Sequence, residues 1–136
     1  MLSNTKNFLD RAKEKFGQLL SGYRKFVANT KQKLGNMSDT NYNTGMYHLD
    51  RGNLFDATFR FKIIKKFWPD RLEAQCKYAY CLILQNMIND ATILLHEILA
   101  KDPNMVEAQQ LLNRINNGEA DKIIKEYNEK IKKDSE

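Results

Sequence analysis

One stretch of this chain occurs twice, and the spacing between the two versions is constant. The first version begins at residues 52–57 and the second at residues 86–91. The matching positions are Ala57 and Ala91, Phe61 and Leu95, Ile64 and Ile98, and Pro69 and Pro103, and the two numbers of each pair differ by 34. A fixed period of about 20–50 residues is typical of repeat proteins, in which each unit buries its apolar face against its neighbours. The period therefore predicts a stack of similar units.

The units are predicted to be helical. The 136 residues include only two prolines and six glycines, and apolar residues recur at spacings of three and four rather than two. Gly52-Asn53 and Asn86-Met87 are predicted turns, because glycine and asparagine tolerate the left-handed backbone that tight turns require. Helices are predicted over residues 5–34, 40–51, 54–67, 72–85, 88–101, 104–117 and 119–133, with a turn over residues 36–40 that follows Gly35.

The positive charge is concentrated at the N-terminus. Residues 1–37 hold eight Lys or Arg and two acidic residues, a net charge of +6, whereas residues 38–136 hold fourteen and fifteen, a net charge of −1. The apolar residues of the first segment lie on one helical face. We therefore divide the chain into a basic amphipathic N-terminal helix, residues 1–37, and a helical repeat domain, residues 38–136, that ends in a capping helix. The basic helix indicates an anionic surface as its partner, or else a solvated face.

The sequence does not indicate catalysis. His48 and His96 lie far apart without ligand spacing, and no phosphate-binding loop or nucleophile motif is present. Cys76 and Cys81 would point about 140° apart on one helix, so they cannot pair with each other, and the chain suits a reducing compartment. We expect no enzyme activity, no cofactor, no metal, no nucleic acid and no small-molecule substrate. No apolar run is long enough for a membrane span, and we expect a cytoplasmic location, with a membrane-peripheral one as the alternative.

The two versions resemble the tetratricopeptide repeat (TPR) family, over about residues 38–117. The resemblance implies an all-α fold in which antiparallel hairpins stack as a short right-handed solenoid. Asn41 and Gln75 depart from the family, because they stand where it usually has a large apolar residue, and Thr44 and His48 replace two further core residues. The residues that carry the resemblance are, in the first version, Gly45, Gly52, Leu54, Ala57, Phe61, Ile64 and Pro69, and in the second, Ala79, Asn86, Ile88, Ala91, Leu95, Ile98 and Pro103.

The resemblance also implies where a partner binds. In this family the first helices of the hairpins line a concave groove that receives peptides. Mapped onto this chain, the groove is lined by Tyr42, Met46, Leu49, Cys76, Tyr80, Ile83, Gln110 and Arg114. A groove of tyrosine, methionine and aliphatic side chains suits an amphipathic helix or an apolar segment.

A second apolar stripe on the first hairpin consists of Phe55, Phe59 and Ile63. Since the second hairpin has Asn89, Ile93 and Glu97 at these positions, the stripe exceeds what the repeat needs and predicts a docked element. We expect the N-terminal helix to dock there, with the concave groove as the alternative docking site.

The leading functional hypothesis is a non-enzymatic adaptor or scaffold that binds another protein through its groove. One alternative is a peripheral membrane protein whose residues 1–34 lie on anionic lipid. Another is a chaperone of the same repeat type.

Overall fold

The computed structural model describes the backbone from Leu2 to Glu136 and the side chains from Asn4 onward, so residues 1–3 of the predicted N-terminal segment lie outside the described side chains. The described residues form six helices and no strand, which confirms the all-α prediction. The helices are α1 (Leu2–Asp50), α2 (Leu54–Phe67), α3 (Leu72–Leu84), α4 (Ile88–Lys101), α5 (Val106–Asn116) and α6 (Ala120–Asp134).

The chain separates into two compact units, residues 1–37 and residues 38–136, and the boundary falls within α1. The first unit is helical, and its side chains between Asn4 and Gly35 are exposed, apart from the half-buried Val27. The second unit contains the buried core and all the helices from α2 to α6. We call this second unit, residues 38–136, the helical body.

The predicted turn over residues 36–40 is wrong, because α1 continues through it. Gly35 keeps a right-handed backbone, since the only described residues with positive φ are Gly52, Asn86 and Gly118. Ser38 and Asp39, residue types that often cap helices, lie inside α1. The Arg71 guanidinium donates to Ser38 Oγ at 2.8 Å and to Asp39 Oδ1 at 2.6 Å. A partner distant in sequence thus engages the side chains that would otherwise cap a helix.

Three helices end in the same turn. A residue with positive φ closes each one: Gly52 at 82°, Asn86 at 61° and Gly118 at 75°. In each turn the amide of this residue donates to the carbonyl three residues back, and the next amide donates to the carbonyl five residues back. This pair of bonds is the Schellman motif, which satisfies the last carbonyls of a helix. The turns predicted at Gly52-Asn53 and Asn86-Met87 are confirmed.

The two hairpins bury the same positions of the repeat. Ala57 and Ala91, Phe61 and Leu95, and Ile64 and Ile98 are 0% exposed. Side-chain hydrogen bonds repeat as well: Gln75 Nε2 donates to Pro69 O at 2.7 Å, and Gln109 Nε2 donates to Pro103 O. The buried Gln75 is therefore satisfied by the carbonyl of the proline that precedes its helix, which explains a polar residue at this position.

Neighbouring helices pack in chain order, α2 on α3, α3 on α4 and α4 on α5. Gln85 at the end of α3 donates through Nε2 to Thr58 Oγ1 near the start of α2, at 2.8 Å. The two helices therefore run in opposite directions. The last helix breaks the chain order, since α6 packs against α3.

Candidate functional site

Leu49 on α1, Tyr80 on α3 and Arg114 on α5 all contact α6, so the last turns of α1 with α3 and α5 form one surface of the body. We call it the α1–α3–α5 face. Leu49 is 4% exposed and Cys76 and Ile83 are 0% exposed, so these three side chains belong to the core. Tyr42, Met46, Tyr80 and Arg114 are partly exposed, and Gln110 is exposed. Only the latter five side chains are therefore accessible from solvent.

Helix α6 lies on this face. The Tyr127 hydroxyl donates to Leu49 O at 2.6 Å, and its ring meets the Tyr80 ring edge-on, with centroids 6.2 Å apart. Arg114 donates from both terminal nitrogens to the Glu126 carboxylate at 2.9 Å each. The face predicted to hold a partner helix thus already holds a helix of the same chain.

The sequence supports this placement of α6. Ile123 is 2% exposed and Tyr127 is 6% exposed, while most of the other α6 side chains are charged and exposed. Ile131 approaches Gly52, where a Cβ atom would lie 3.2 Å from its Cγ2. The apolar face of α6 was evident from the sequence. Its docking surface was not, because the sequence pattern shows that a face is apolar without showing which neighbour covers it.

Burial and ion pairing shift the pKa values of the side chains in this contact. Burial raises the pKa of Tyr127 to about 12, and burial also raises the pKa of Tyr80. The hydrogen bond from Arg114 lowers the pKa of the Glu126 carboxyl, which lies at the surface. At neutral pH both tyrosines are therefore neutral, and Glu126 is an anion that a cation holds in place.

The other end of the face is held by a cluster around Arg71. The guanidinium lies 4.7 Å from the centre of the Tyr42 ring and pairs with Glu73 at 3.0 Å, besides its bonds to α1. Lys77 donates to Glu107 at 2.8 Å and links α3 to α5. Burial lowers the pKa of Lys77, but the hydrogen bond and charge of Glu107 outweigh it, so the net pKa is raised. Arg71 thus joins the start of α3 to α1 near Tyr42, whose ring stays partly exposed.

The residues predicted to receive the N-terminal helix lie on α2. Phe55 is 82% exposed and Phe59 is 56% exposed, and Ile63 is partly buried. Lys62 and Lys66 lie on the same side of α2, at the i+3 and i+7 positions from Phe59. Beside them, an open groove of about 500 Å³ runs between α2 and α4 over Tyr78 and Leu82 of α3.

Neither cysteine of the body is activated as a nucleophile. Cys76 and Cys81 are free and buried, and burial raises their pKa values to about 12 and about 11. Both are therefore thiols at neutral pH rather than nucleophilic thiolates. His48 faces the Asn53 amide at 3.5 Å. The described side chains include no cluster of three or more His, Cys, Asp or Glu residues that would suit a metal ion.

Within the described part of the chain, no helix has the length and apolar character needed to cross a membrane. Comparison with family models, with curated proteins and with solved structures returned no match for this chain.

Proposed function

We propose that residues 38–136 form a short tetratricopeptide-like solenoid of antiparallel hairpins. We also propose that this body is a non-enzymatic module, an adaptor or scaffold, that binds a helical or apolar segment of another protein on the α1–α3–α5 face. The observation that carries the proposal is α6, an amphipathic helix that this face already accommodates. A surface that binds one amphipathic helix through an aromatic contact, a buried hydrogen bond and an ion pair has the chemistry to bind another.

The solenoid is supported by how closely the two hairpins match. Turn geometry, buried alanines, large core residues and the glutamine-to-proline hydrogen bond all recur with the period of the sequence. Consecutive units with the same internal contacts stack by the same rotation, which gives a superhelix with one inner surface. The α1–α3–α5 face is that inner surface in the proposal.

The partner segment meets the part of the face beside α6. Tyr42, Met46 and Tyr80 supply aromatic and thioether surface there, and Gln110 supplies an amide for hydrogen bonding. Methionine adapts its shape to different apolar partners, and tyrosine combines a large apolar ring with a polar end. The matching segment is an amphipathic helix with large apolar residues three and four positions apart.

The test begins with a displayed library of amphipathic helical peptides, selected on the full chain. Selected peptides are then titrated by calorimetry against the Met46→Ala and Tyr80→Ala variants. The matched controls are Met87→Ala, an exposed methionine outside the face, and Tyr78→Ala, a tyrosine of the same helix that lines the α2–α4 groove.

Truncation of a central binding residue typically costs about 1–2 kcal/mol or more. We therefore expect about tenfold weaker binding to Met46→Ala and Tyr80→Ala and little change in the controls. If the selected peptides bind all four variants equally well, or lose affinity only to the controls, the binding site lies elsewhere and the proposal is refuted.

A further inference from the structure

The N-terminal helix carries an exposed apolar face along its whole length. At about 100° per residue, its large apolar side chains between residues 8 and 34 fall within a sector of about 120°. Eight of them are between 37% and 76% exposed: Phe8, Leu9, Phe16, Leu19, Leu20, Tyr23, Phe26 and Leu34. A continuous stripe of this size is too large to be scattered surface hydrophobicity and indicates a binding surface.

Cations flank this apolar sector on both sides. Lys6, Lys13, Arg24 and Lys31 fall within about 40° of one edge, and Lys15 and Lys33 within about 40° of the other. The numbers of Lys6 and Arg24, of Lys13 and Lys31, and of Lys15 and Lys33 each differ by 18. This difference corresponds to five full turns, so each pair shares one direction around the helix. One edge is therefore basic from Lys6 to Lys31, and the other carries Lys15 and Lys33.

The acidic side chains lie on the far side. Asp10 and Glu14 fall opposite the centre of the apolar sector, and the remaining positions there are mostly Asn, Gln, Ser and Gly. The order around the helix is thus apolar, basic, polar and basic, and the polar side carries two acids and two cations, Arg11 and Lys25. Lysines at the border of an apolar face extend their aliphatic stems along it and place their ammonium groups at the level of phosphates.

The distribution of charge around the helix indicates which kind of partner covers the apolar stripe. A second copy of the helix, paired along the same face, would bring basic edges against basic edges with no acid to balance them, and like charges at these positions disfavour pairing. A nucleic acid offers phosphates but no continuous apolar layer for the stripe. An anionic bilayer offers both, with acyl chains for the sector and phosphates at both edges.

We propose that the helix formed by residues 4–35 is an interfacial helix that lies parallel to an anionic lipid surface. Its Phe- and Leu-rich sector enters the acyl region, and its two lysine edges rest on the headgroup phosphates. This site is independent of the protein-binding function proposed for the body. It gives the chain a membrane-bound state, in which an adaptor would gather its partner at a bilayer.

The test uses the full chain and sedimentation with vesicles of phosphatidylserine and phosphatidylcholine in equal parts, and of phosphatidylcholine alone. We expect binding to the anionic vesicles and at least tenfold weaker binding to the neutral ones. Raising the salt from about 0.1 to 1 M shortens the Debye length from about 10 to 3 Å and should weaken the binding to the anionic vesicles strongly.

Two pairs of matched variants test which side of the helix contacts the lipid. Leu19→Glu puts a charge within the apolar sector, and Gln18→Glu makes the same charge change on the polar side one residue away. The double variant Lys13→Gln/Lys31→Gln removes edge lysines, while Arg11→Gln/Lys25→Gln removes two cations from the polar side. Each cation near the lipid surface raises the affinity by a factor of about five. The edge double variant should therefore bind anionic vesicles about 25-fold more weakly, and its control should lose clearly less affinity.

Three results would overturn the proposal. One is equal binding to anionic and neutral vesicles, or no binding to either. Another is an equal loss in each variant and its matched control. The third comes from light scattering without lipid: a wild-type chain that is a dimer and a Leu19→Glu chain that is a monomer would show that the stripe binds a second copy.

Discussion

The first hairpin contains one very close contact, between Gly45 of α1 and the ring of Phe61 on α2. A Cβ atom on Gly45 would lie 2.8 Å and 2.9 Å from two carbons of that ring, closer than side-chain carbons normally approach. Phe61 is 0% exposed, so the ring has no open space to move into. We therefore expect Gly45→Ala to destabilise the body, although alanine is the better helix former.

The size of the effect follows from two opposing contributions. Overpacking a filled core costs about 1–3 kcal/mol, and replacing glycine by alanine within a helix stabilises it by about 1 kcal/mol. Because two contacts fall below 3.0 Å against a buried ring, the upper part of the first range applies. The net loss is about 1–2 kcal/mol, which lowers the melting temperature of a domain of this size by roughly 5–10 °C.

The second hairpin shows how the contact can be relieved. The equivalents of Gly45 and Phe61 one period later are Ala79 and Leu95, a larger residue opposite a smaller one. In the double variant Gly45→Ala/Phe61→Leu, the leucine leaves room for the new methyl group. We expect this variant to lose less stability than the sum of the single variants, with a coupling of about 1 kcal/mol or more.

Urea unfolding monitored by the fluorescence of Trp68 measures these changes, because Trp68 is the only tryptophan and lies in the body. Gly35→Ala is the control, since a Cβ atom there meets nothing within 4 Å. A Gly45→Ala variant that is more stable than wild type, or single effects that simply add, would refute the packing argument.

Three further results are expected from the same unfolding assay. Tyr127→Phe removes the buried bond to Leu49 O and should cost about 1 kcal/mol, whereas Tyr23→Phe on the exposed helix should cost nothing. Because burial raises the pKa of Tyr127 to about 12, above its unfolded value of about 10, the stabilisation is complete below about pH 10. It is lost as the pH rises towards 12, and Tyr127→Phe should reduce that loss. Arg71→Met removes the guanidinium that binds Ser38, Asp39 and Glu73 and should cost about 1–2 kcal/mol, against little change for the exposed Arg51→Met.

The features that the sequence predicted correctly are those set by neighbouring residues. Gly52 and Asn86 determine the turns because few other residues adopt a left-handed backbone at low cost. Ala57 and Ala91 are buried because each belongs to an apolar face with helical spacing, and a repeat whose period is constant must bury equivalent positions alike. In these cases the local pattern and the packing specify the same structure.

The features that the sequence did not predict depend on distant residues. Gly35 is compatible with a helix end and with a helix interior, and what distinguishes the two here is Arg71, far along the chain, bound to Ser38 and Asp39. The three predicted groove residues in the core are a similar case. Leu49, Cys76 and Ile83 have the spacing of a groove, but spacing does not determine how closely neighbouring helices approach.

The position of α6 has a physical cause in the length of α5. The numbers of the left-handed residues Gly52 and Asn86 differ by 34, whereas those of Asn86 and Gly118 differ by only 32. Helices α3 and α5 start one full period apart, at Leu72 and Val106, but α5 has 11 residues and α3 has 13. Because α5 is two residues shorter than α3, the chain leaves α5 at a position rotated by about 200° around the helix axis. The last helix therefore leaves α5 in a different direction from the one that α4 takes from α3.

Insertion of two alanines after Ile115 restores the full period. We expect α6 to leave the α1–α3–α5 face in this variant, because its exit direction then matches that of α4. The readout is the cost of Tyr127→Phe, about 1 kcal/mol in the wild-type background and close to zero in the insertion background, where the hydroxyl no longer reaches Leu49 O. Two alanines inserted after Asp134, beyond the contact, are the control and should leave that cost unchanged. If Tyr127→Phe costs the same in both insertion variants, then the apolar face of α6 directs its docking and the length of α5 does not.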